Sequence, residues 1–438
     1  MKDGRLKILI IAHELSPYSG SECAVGWNLV TRIASYHDIT VLYASGSHAR
    51  PHSYRNGLEQ YFQQNASIAG LELINVDQPQ FTRFIASVNR VFSKIGPIGL
   101  PALYYLGYKA WQKKAYGVAH DLNNRLRFDA VHQITQITYR EPGYTWKLGI
   151  PFFWGPTGGV ANMPWSYFRH LSFASKIIEG IRFVSNKYQT CCMKRIRKAI
   201  FSSEVIYTYS NEDAQYFTTG SPTQIRLMLD VGTTIAKNIS QNYIGPKLIL
   251  EGVWCGQLTY RKAPEIALKA LAAGNLTRGK IRLTVIGEGP LEKGLLELAG
   301  RLQLNNIRWI RRIPHQQVFE IMQEADFLVH TSLREATSSV IPEALSVGLP
   351  VICHDVNGMG IAINETCGIK VPLISPEKSV QGFNDAMTSL ILKHDLLARL
   401  KKGALNRAEE LSWDNMAKTI AYDYRMVVKG DSRELAVE

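Results

Sequence analysis

The feature that most constrains this chain is an alternation of apolar strands and helices that opens the sequence and starts again near Lys247. At the start, Lys7 to Ala12 and Ile39 to Ala44 predict strands, and Glu22 to Tyr36 predicts the helix between them. A strand, a helix and a strand at this spacing predict a βαβ unit, which requires a parallel sheet with a right-handed crossover. The predicted fold class is therefore α/β.

The second run of the alternation is the longer one. Its helices are predicted between strands at Leu248 to Cys255, Arg282 to Ile286, Ile307 to Ile310, Asp326 to Thr331 and Pro350 to Cys353. A chain of 438 residues is too long for one ordinary core, so we expect two doubly wound domains. The predicted domains are 1–235 and 246–412, with a hinge between Asp230 and Gly245 and a last helical stretch at about 413–438.

The composition is that of a globular protein, with 46% hydrophobic and 20% charged residues. No run reaches the roughly 20 apolar residues that a membrane-spanning helix needs. The six cysteines show no C-x-x-C spacing, and the adjacent Cys191 and Cys192 make a poor disulfide or zinc framework. We therefore expect reduced thiols in a cytosolic protein.

The net charge of +13 is concentrated in two stretches. Pro79 to His120 contains six basic and no acidic residues, and Ala161 to Ser203 contains eight basic residues and one glutamate. Apolar and aromatic residues are interspersed with both, a mixture that suits an anionic membrane surface. Nucleic acid is a rival partner, but no helix-turn-helix, RNP or zinc-finger signature is found. Ordinary solvated helix faces remain the other interpretation.

A pair of glutamates follows the predicted strand that ends at Thr331. Glu335 lies at the carboxyl end of that strand, where ligands bind in open α/β sheets. The next helix is expected to begin near Ser338 or Ser339, which puts Glu343 about one turn into it, facing the same crevice. The N–H groups of Ala336, Thr337, Ser338 and Ser339 would then form an anion site. The alternative is that one glutamate caps a helix and the other is solvated.

Two strand-to-helix loops supply further candidates. Lys262, in the loop that begins at Gly256, is placed to neutralise a diphosphate leaving group. The turn containing Gly287, Gly289 and Pro290 allows close approach of its backbone to a ligand. It is not a dinucleotide fingerprint or a P-loop, so NAD enzymes and P-loop ATPases are disfavoured.

The first half offers weaker candidates. The loop around Gly20 joins the first strand to the first helix and leaves room for a sugar diphosphate at the helix N-terminus. A tight turn with no ligand explains it equally well. His132 ends the predicted strand Ala130 to His132 and would face the same crevice, although a lone histidine is more often structural.

Taken together, these elements resemble the family 4 retaining glycosyltransferases of the GT-B fold, most strongly from about Leu248 to Val351. The E-x7-E motif of that family matches Glu335 to Glu343, its G-R-L…K loop matches Gly256 to Lys262, and its G-x-G-P turn matches Gly287 to Pro290. In the first half, the matching segments are the Gly20 loop, Ala130 to His132 and Phe153 to Gly159.

The resemblance implies a role for each matched residue. Glu343 would bind the ribose hydroxyls and Lys262 the diphosphate, while Glu335 would lie beside the donor sugar. Backbone N–H groups of Ala336 to Ser338 would contact the sugar or the phosphate, and His132 the sugar near its reacting carbon. It also implies that the last helix packs back on the first domain and that transfer needs no bound metal.

Two positions depart from the family pattern. Gln257 replaces the arginine of the G-R-L loop, a loss for which Arg261 is a candidate substitute, and Thr337 and Ser338 replace the usual Phe-Gly. The expected function is transfer of a hexose from a UDP- or GDP-sugar to a saccharide acceptor, lipid-linked, in surface polysaccharide assembly. The expected location is the cytoplasm or the inner face of the membrane. A nucleotide-sugar 2-epimerase and a non-catalytic sugar-nucleotide-binding subunit remain as alternatives.

Overall fold

The computed structural model describes residues 4–47, 50–91, 100–169, 171–221, 223–235 and 247–430. Two sheets, each parallel throughout its described pairings, organise these residues, one in each half of the chain. Two apolar clusters line each sheet, because helices cover both of its faces. This confirms the predicted α/β class with two doubly wound sheets.

The N-terminal sheet has seven strands in the order β3-β2-β1-β4-β5-β6-β7. Its strands are β1 Lys7–Ala12, β2 Asp38–Ala44, β3 Leu71–Val76, β4 Ala130–Thr135, β5 Phe152–Thr157, β6 Ser203–Thr208 and β7 Gln224–Leu227. The helices around it are α1 Ser21–Ile33, α2 Ser53–Gln64, α3 Gln80–Arg90, α4 Pro101–Leu126, α5 Trp165–Phe168, α6 Phe173–Cys192, α7 Lys194–Phe201 and α8 Asn211–Thr218.

The C-terminal sheet has six strands in the order β10-β9-β8-β11-β12-β13. Its strands are β8 Leu250–Cys255, β9 Ile281–Ile286, β10 Ile307–Ile310, β11 Phe327–His330, β12 Val351–His354 and β13 Gly368–Val371. The helices that follow are α9 Pro264–Ala273, α10 Asn275–Lys280, α11 Glu292–Arg301, α12 His315–Glu324, α13 Val340–Ser346, α14 Asn357–Ala362, α15 Pro376–Leu392, α16 His394–Glu410 and α17 Trp413–Lys429.

Burial explains why the central strands were recognisable in the sequence. In β1, Ile8 and Ile10 belong to the apolar cluster on one face of the sheet, and Leu9 and Ile11 to the cluster on the other. A strand covered on both faces is a continuous apolar run. The strands β3, β7 and β13 lie at sheet edges, are only partly buried and were not predicted, whereas the edge strand β10 was predicted.

The last helix crosses from the C-terminal half to the N-terminal half. Ala417, Ile420 and Tyr424 of α17 are buried in the cluster that contains Ile8 and Ile10. An ion pair between Arg32 and Asp414, 2.9 Å long, joins α1 to α17. Residues 431–438 of the predicted terminal stretch and 236–245 of the predicted hinge lie outside the described residues.

The states of the cysteines and the lengths of the helices can be compared with the sequence predictions on disulfides and membrane spans. All six cysteines are free, with Cys191 and Cys192 exposed at the end of α6. Within the described parts of the chain, no helix is both long enough and apolar enough to cross a bilayer.

Candidate active site

The donor-side candidate is a cluster of charges at the carboxyl end of β11. The Nζ atom of Lys262 lies 2.9 Å from Glu335 Oε2, and Arg261 Nη1 lies 3.0 Å from the same oxygen. Lys262 also donates to the Ser338 hydroxyl at 3.2 Å. The Lys262 side chain is only 9% exposed, so its ammonium group is paired with these partners rather than with water. The structure therefore brings four of the predicted site residues together.

Backbone packing brings the lysine loop to this position. Gly256 and Gly287 have φ angles of 156° and 150°, and a Cβ on Gly287 would lie 1.9 Å from the carbonyl oxygen of Gly256. A Cβ on Gly289 would lie 2.6 Å from the Leu258 carbonyl oxygen. These glycines permit two turns to pack against each other, whereas the sequence pattern predicted that Gly287 and Gly289 allow close approach of a ligand.

At Gln257, which replaces the arginine of the family pattern, the structure shows which residue supplies the second positive charge. Gln257 and Pro290 are both exposed at their turns, and the second cation beside Glu335 is Arg261. Arg261 Nη1 is also 3.4 Å from the carbonyl oxygen of Arg334. The guanidinium is thus held against the segment that carries Glu335.

Glu343 lies in the first turns of α13 and has a different partner. His315, the first residue of α12, places Nε2 3.2 Å from Glu343 Oε1. Burial raises the pKa of Glu343, although His315 and Ser339 act against the shift. Gly348, with a φ of 73°, follows the helix as predicted. Ser339 precedes α13 but makes no side-chain cap, because its backbone is already helical.

The two glutamates line two cavities rather than the single crevice expected from the sequence. Glu343 and His315 line a cavity of about 770 Å³ that Val231 to Ile235 close from the other side. Glu335 lines a cavity of about 260 Å³, together with Arg261 and Ala336 and with Gly159, Arg182 and Tyr209 of the N-terminal half.

Asp230 was not recognised as a site residue from the sequence. It is 2% exposed and lies beside Thr337. Burial raises the pKa of Asp230 to about 7; hydrogen bonding to Thr337 opposes the shift and the charge of Glu335 adds to it. Its chain position, between the last strand of one sheet and the first of the next, was the available signal.

The Gly20 loop carries two acidic neighbours that the sequence analysis also missed. Gly20 precedes α1 with a φ of 51°, and no atom lies within 4 Å of the position of a Cβ there. Glu14 accepts from the Gln136 side chain at 3.4 Å, and Glu22 accepts from the N–H of Ile137 at 2.8 Å. Burial raises the pKa of both glutamates, and Glu14 adds repulsion at Glu22. Their position beyond the carboxyl end of β1 was the signal.

The structure does not place His132 at either cavity, which corrects the expectation that it faces the crevice. Its ring is fully buried, with Nδ1 2.5 Å from the Tyr424 hydroxyl and Nε2 2.8 Å from the Gly155 carbonyl oxygen. Burial lowers the pKa of His132 to about 3. The imidazole is therefore neutral and fastens β4 to β5 and to α17.

Comparison with known proteins finds a family match in the C-terminal half. Residues 252–407 match the model of the glycosyl transferases group 1. D-inositol 3-phosphate glycosyltransferase of Segniliparus rotundus is 26% identical over 181 residues, covering 40% of this chain and 39% of that protein. The protein of the same name from Streptomyces bingchenggensis is 30% identical over 193 residues, covering 41% of each. The match thus spans about two fifths of each relative.

Solved structures align over nearly the whole chain. The lipopolysaccharide outer core galactosyltransferase WaaB has a TM-score of 0.59 and 14% identity, covering 97% of this chain and all of WaaB. Anabaena HepE, solved with UDP and glucose, has a TM-score of 0.53 and 16% identity, covering 96% and 99%. At these identities the likeness establishes the fold. The chain has the GT-B fold, and its residues 252–407 match the glycosyl transferases group 1.

Proposed function

We propose that this protein is a retaining glycosyltransferase that moves a hexose from a UDP- or GDP-sugar to a saccharide acceptor. The observation that carries the proposal is the pairing of Lys262 and Arg261 with Glu335 inside the family-matched domain, at the cavity between the two halves. Two cations held in place suit a diphosphate leaving group, whose developing charge they would stabilise without reorganisation.

The proposed binding mode divides the donor between the two cavities. The nucleoside would occupy the larger one, where Glu343 would accept hydrogen bonds from the ribose hydroxyls. The sugar would lie beside Glu335, whose carboxylate would exchange its cations for sugar hydroxyls when the diphosphate arrives. Lys262 and Arg261 would then neutralise the phosphates in place of a metal ion. Transfer would proceed by departure and attack on the same face of the sugar, which retains the anomeric configuration.

The test is transfer from a panel of UDP- and GDP-sugars, with the anomeric configuration of the product read by NMR. Lys262→Ala is expected to lower kcat by roughly a hundredfold to a thousandfold, because an electrostatic contact to the leaving group is lost. Exposed Lys269, on the neighbouring helix α9, provides the control Lys269→Ala, which is expected to retain full activity. Chelation with EDTA is expected to leave the rate unchanged.

Two outcomes would contradict this proposal. Full transfer by both Glu335→Ala and Lys262→Ala would remove the site assignment. Formation of a new UDP-sugar in the absence of any acceptor would favour a nucleotide-sugar 2-epimerase instead.

The proposed acceptor is a lipid-linked saccharide of surface polysaccharide assembly, such as exopolysaccharide, capsule or O-antigen, used at the inner face of the membrane. The basic and apolar surface of the N-terminal half supports this, since it suits an anionic bilayer. With a radioactive donor, label is expected to enter the lipid fraction of a membrane extract. Label that enters only water-soluble saccharides would contradict a lipid-linked acceptor.

A further inference from the structure

Helix α6 has its polarity reversed relative to an ordinary surface helix. Its inward face is polar, with Ser175, Glu179 and Asn186 buried. Its outward face is apolar and exposed, with the exposed fractions Phe173 80%, Ile177 47%, Ile178 51%, Ile181 64%, Val184 67% and Tyr188 62%. A helix that faces only water and its own protein shows the opposite pattern. The outward face of α6 therefore suits contact with an apolar partner.

Polar contacts hold α6 in this orientation. Glu179 accepts from Tyr260 and from Arg334 of the C-terminal half, both at 2.9 Å. Asn186 donates to Asn162 Oδ1 at 2.8 Å, and Arg182 donates to the Gly159 carbonyl oxygen at 3.1 Å. Rotating the helix to bury its aliphatic side chains would break these contacts and leave Arg334 and Tyr260 without Glu179, at a cost of about 1–3 kcal/mol for each buried polar group and more for a charge. The apolar face is thus fixed outward.

The charges around α6 indicate what covers that face. At about 100° per residue, Lys176 and Lys187 lie on one flank of the apolar stripe, and both are exposed. Further exposed cations of the same region are Arg169, Lys194, Arg197 and Lys198. The single acidic residue between 161 and 203 is Glu179, which is buried on the inward face. A second copy of this chain would bring like charges together, whereas an anionic bilayer engages both the aliphatic side chains and the cations.

We propose that α6 is a membrane-docking helix that lies in the surface of an anionic bilayer. Arg182, on the inward side of the helix, lines the cavity that contains Glu335, so about one helix diameter of roughly 10 Å separates that cavity from the docked face. Docking would hold the cleft at the height of the lipid headgroups. That this presents a lipid-linked acceptor to the cleft rests on the proposed function; the docking itself does not.

The experiment measures sedimentation of the full chain with phosphatidylglycerol vesicles at low salt. The variant Ile177→Gln/Ile181→Gln/Val184→Gln is expected to bind at least tenfold more weakly, since it removes the apolar stripe from a helix that glutamine favours. The matched control replaces three exposed leucines of the C-terminal half, as Leu248→Gln/Leu296→Gln/Leu392→Gln, and is expected to bind like the wild type.

The cations are tested separately. Lys176→Gln/Lys187→Gln is expected to weaken binding by about fivefold for each charge removed. The control Lys280→Gln/Lys293→Gln removes two exposed lysines of the C-terminal half and is expected to have no effect. Wild-type binding is expected to fall in high salt and to be weak on phosphatidylcholine vesicles.

UDP binding by calorimetry, measured on the same samples, separates this inference from the proposed function. A wild type that binds UDP but not anionic vesicles would overturn the docking role and leave the proposed function standing. Vesicle binding without nucleotide or nucleotide-sugar binding would overturn the proposed function and leave the docking role standing. A wild-type dimer that the triple glutamine variant converts to a monomer would assign the face to a second copy and overturn the membrane role.

Discussion

At the scale of single residues, the donor side holds its cations in place with a carboxylate. Glu335 Oε2 lies within 3.0 Å of Lys262 Nζ and of Arg261 Nη1. Both cations are therefore already in position when a diphosphate enters. The same pairing limits the free-energy cost of burying Lys262, because a buried charge without a partner is strongly destabilising. A loop lysine thereby becomes a fixed electrostatic group.

Gly287→Ala is expected to damage the lysine loop without touching any charged residue. The added Cβ would lie 1.9 Å from the Gly256 carbonyl oxygen, so the two turns must separate. We expect a loss of about 3 kcal/mol of stability and weakened UDP binding, measured by thermal melts and calorimetry. Gly294→Ala in α11, where a Cβ meets nothing within 4 Å, is the control and is expected to stabilise slightly. Unchanged UDP binding by Gly287→Ala would refute this account of the loop.

Asp230→Asn is expected to change how stability depends on pH. Burial raises the pKa of Asp230 from its usual 3.8 to about 7, so the folded protein holds a proton that the unfolded chain releases. The wild type therefore loses stability as pH rises from about 4 to about 7, by an amount on the order of 3 kcal/mol from this group. The Tm of Asp230→Asn is expected to equal that of the wild type near pH 4 and to lie well above the wild-type Tm at pH 8.

The exposed carboxylate of Asp385 provides the control for this pH dependence. Asp385→Asn is expected to melt within a degree or so of the wild type at both pH values, because surface substitutions change stability little. A difference between Asp230→Asn and the wild type that is the same at pH 4 and pH 8 would contradict the assigned titration.

At the scale of elements, α17 is a structural part of the N-terminal half although it ends the described chain. Its Asp423 pairs with Arg226 of β7 at 2.9 Å and accepts from the Tyr207 hydroxyl of β6 at 2.9 Å. Its Tyr424 contacts His132 of β4. The helix therefore crosses three strands and ties them to the C-terminal half.

Tyr424→Phe tests whether His132 is structural. The change removes the partner of a buried ring nitrogen and is expected to cost about 1–3 kcal/mol, seen as a lower Tm, with kcat per folded molecule within about twofold of the wild type. Tyr422→Phe, at a half-exposed position on the same helix, is expected to change neither. A large fall in kcat at unchanged Tm would restore the catalytic role that the sequence suggested.

At the scale of the whole molecule, a buried ion pair bridges the two halves across the cleft. Glu179 of α6 and Arg334, which precedes Glu335, are 2.9 Å apart, with side chains 2% and 15% exposed. Because removing one partner leaves the other charge buried, such pairs are costly to break. The bridge thus favours the closed arrangement in which both halves line the Glu335 cavity.

Glu179→Gln is expected to loosen this arrangement. We expect a larger radius of gyration by small-angle scattering, a stability loss of about 3 kcal/mol and a higher KM for the donor sugar. Exposed Glu212 on α8 provides the control Glu212→Gln, for which none of these quantities is expected to change. Scattering from Glu179→Gln that matches the wild type would show that other contacts hold the cleft.

The sequence by itself determined the α/β class, the central strands and the order of the carboxylate and lysine motifs. These follow from local patterns: a strand covered on both faces reads as an apolar run, and the residue after such a strand lies at the sheet edge where ligands bind. Glu335 and Lys262 were recognisable for this reason.

Only the tertiary structure decided what each group meets. It placed His132 against Tyr424, put Glu335 and Glu343 in the linings of different cavities, and brought Glu179 to Arg334. It also turned the polar face of α6 inward, where the residue pattern alone indicated a membrane-facing mixture or a solvated helix. The physical reason is that burial, and the pKa shifts that burial causes, depend on partners far away in the chain, which no local period encodes.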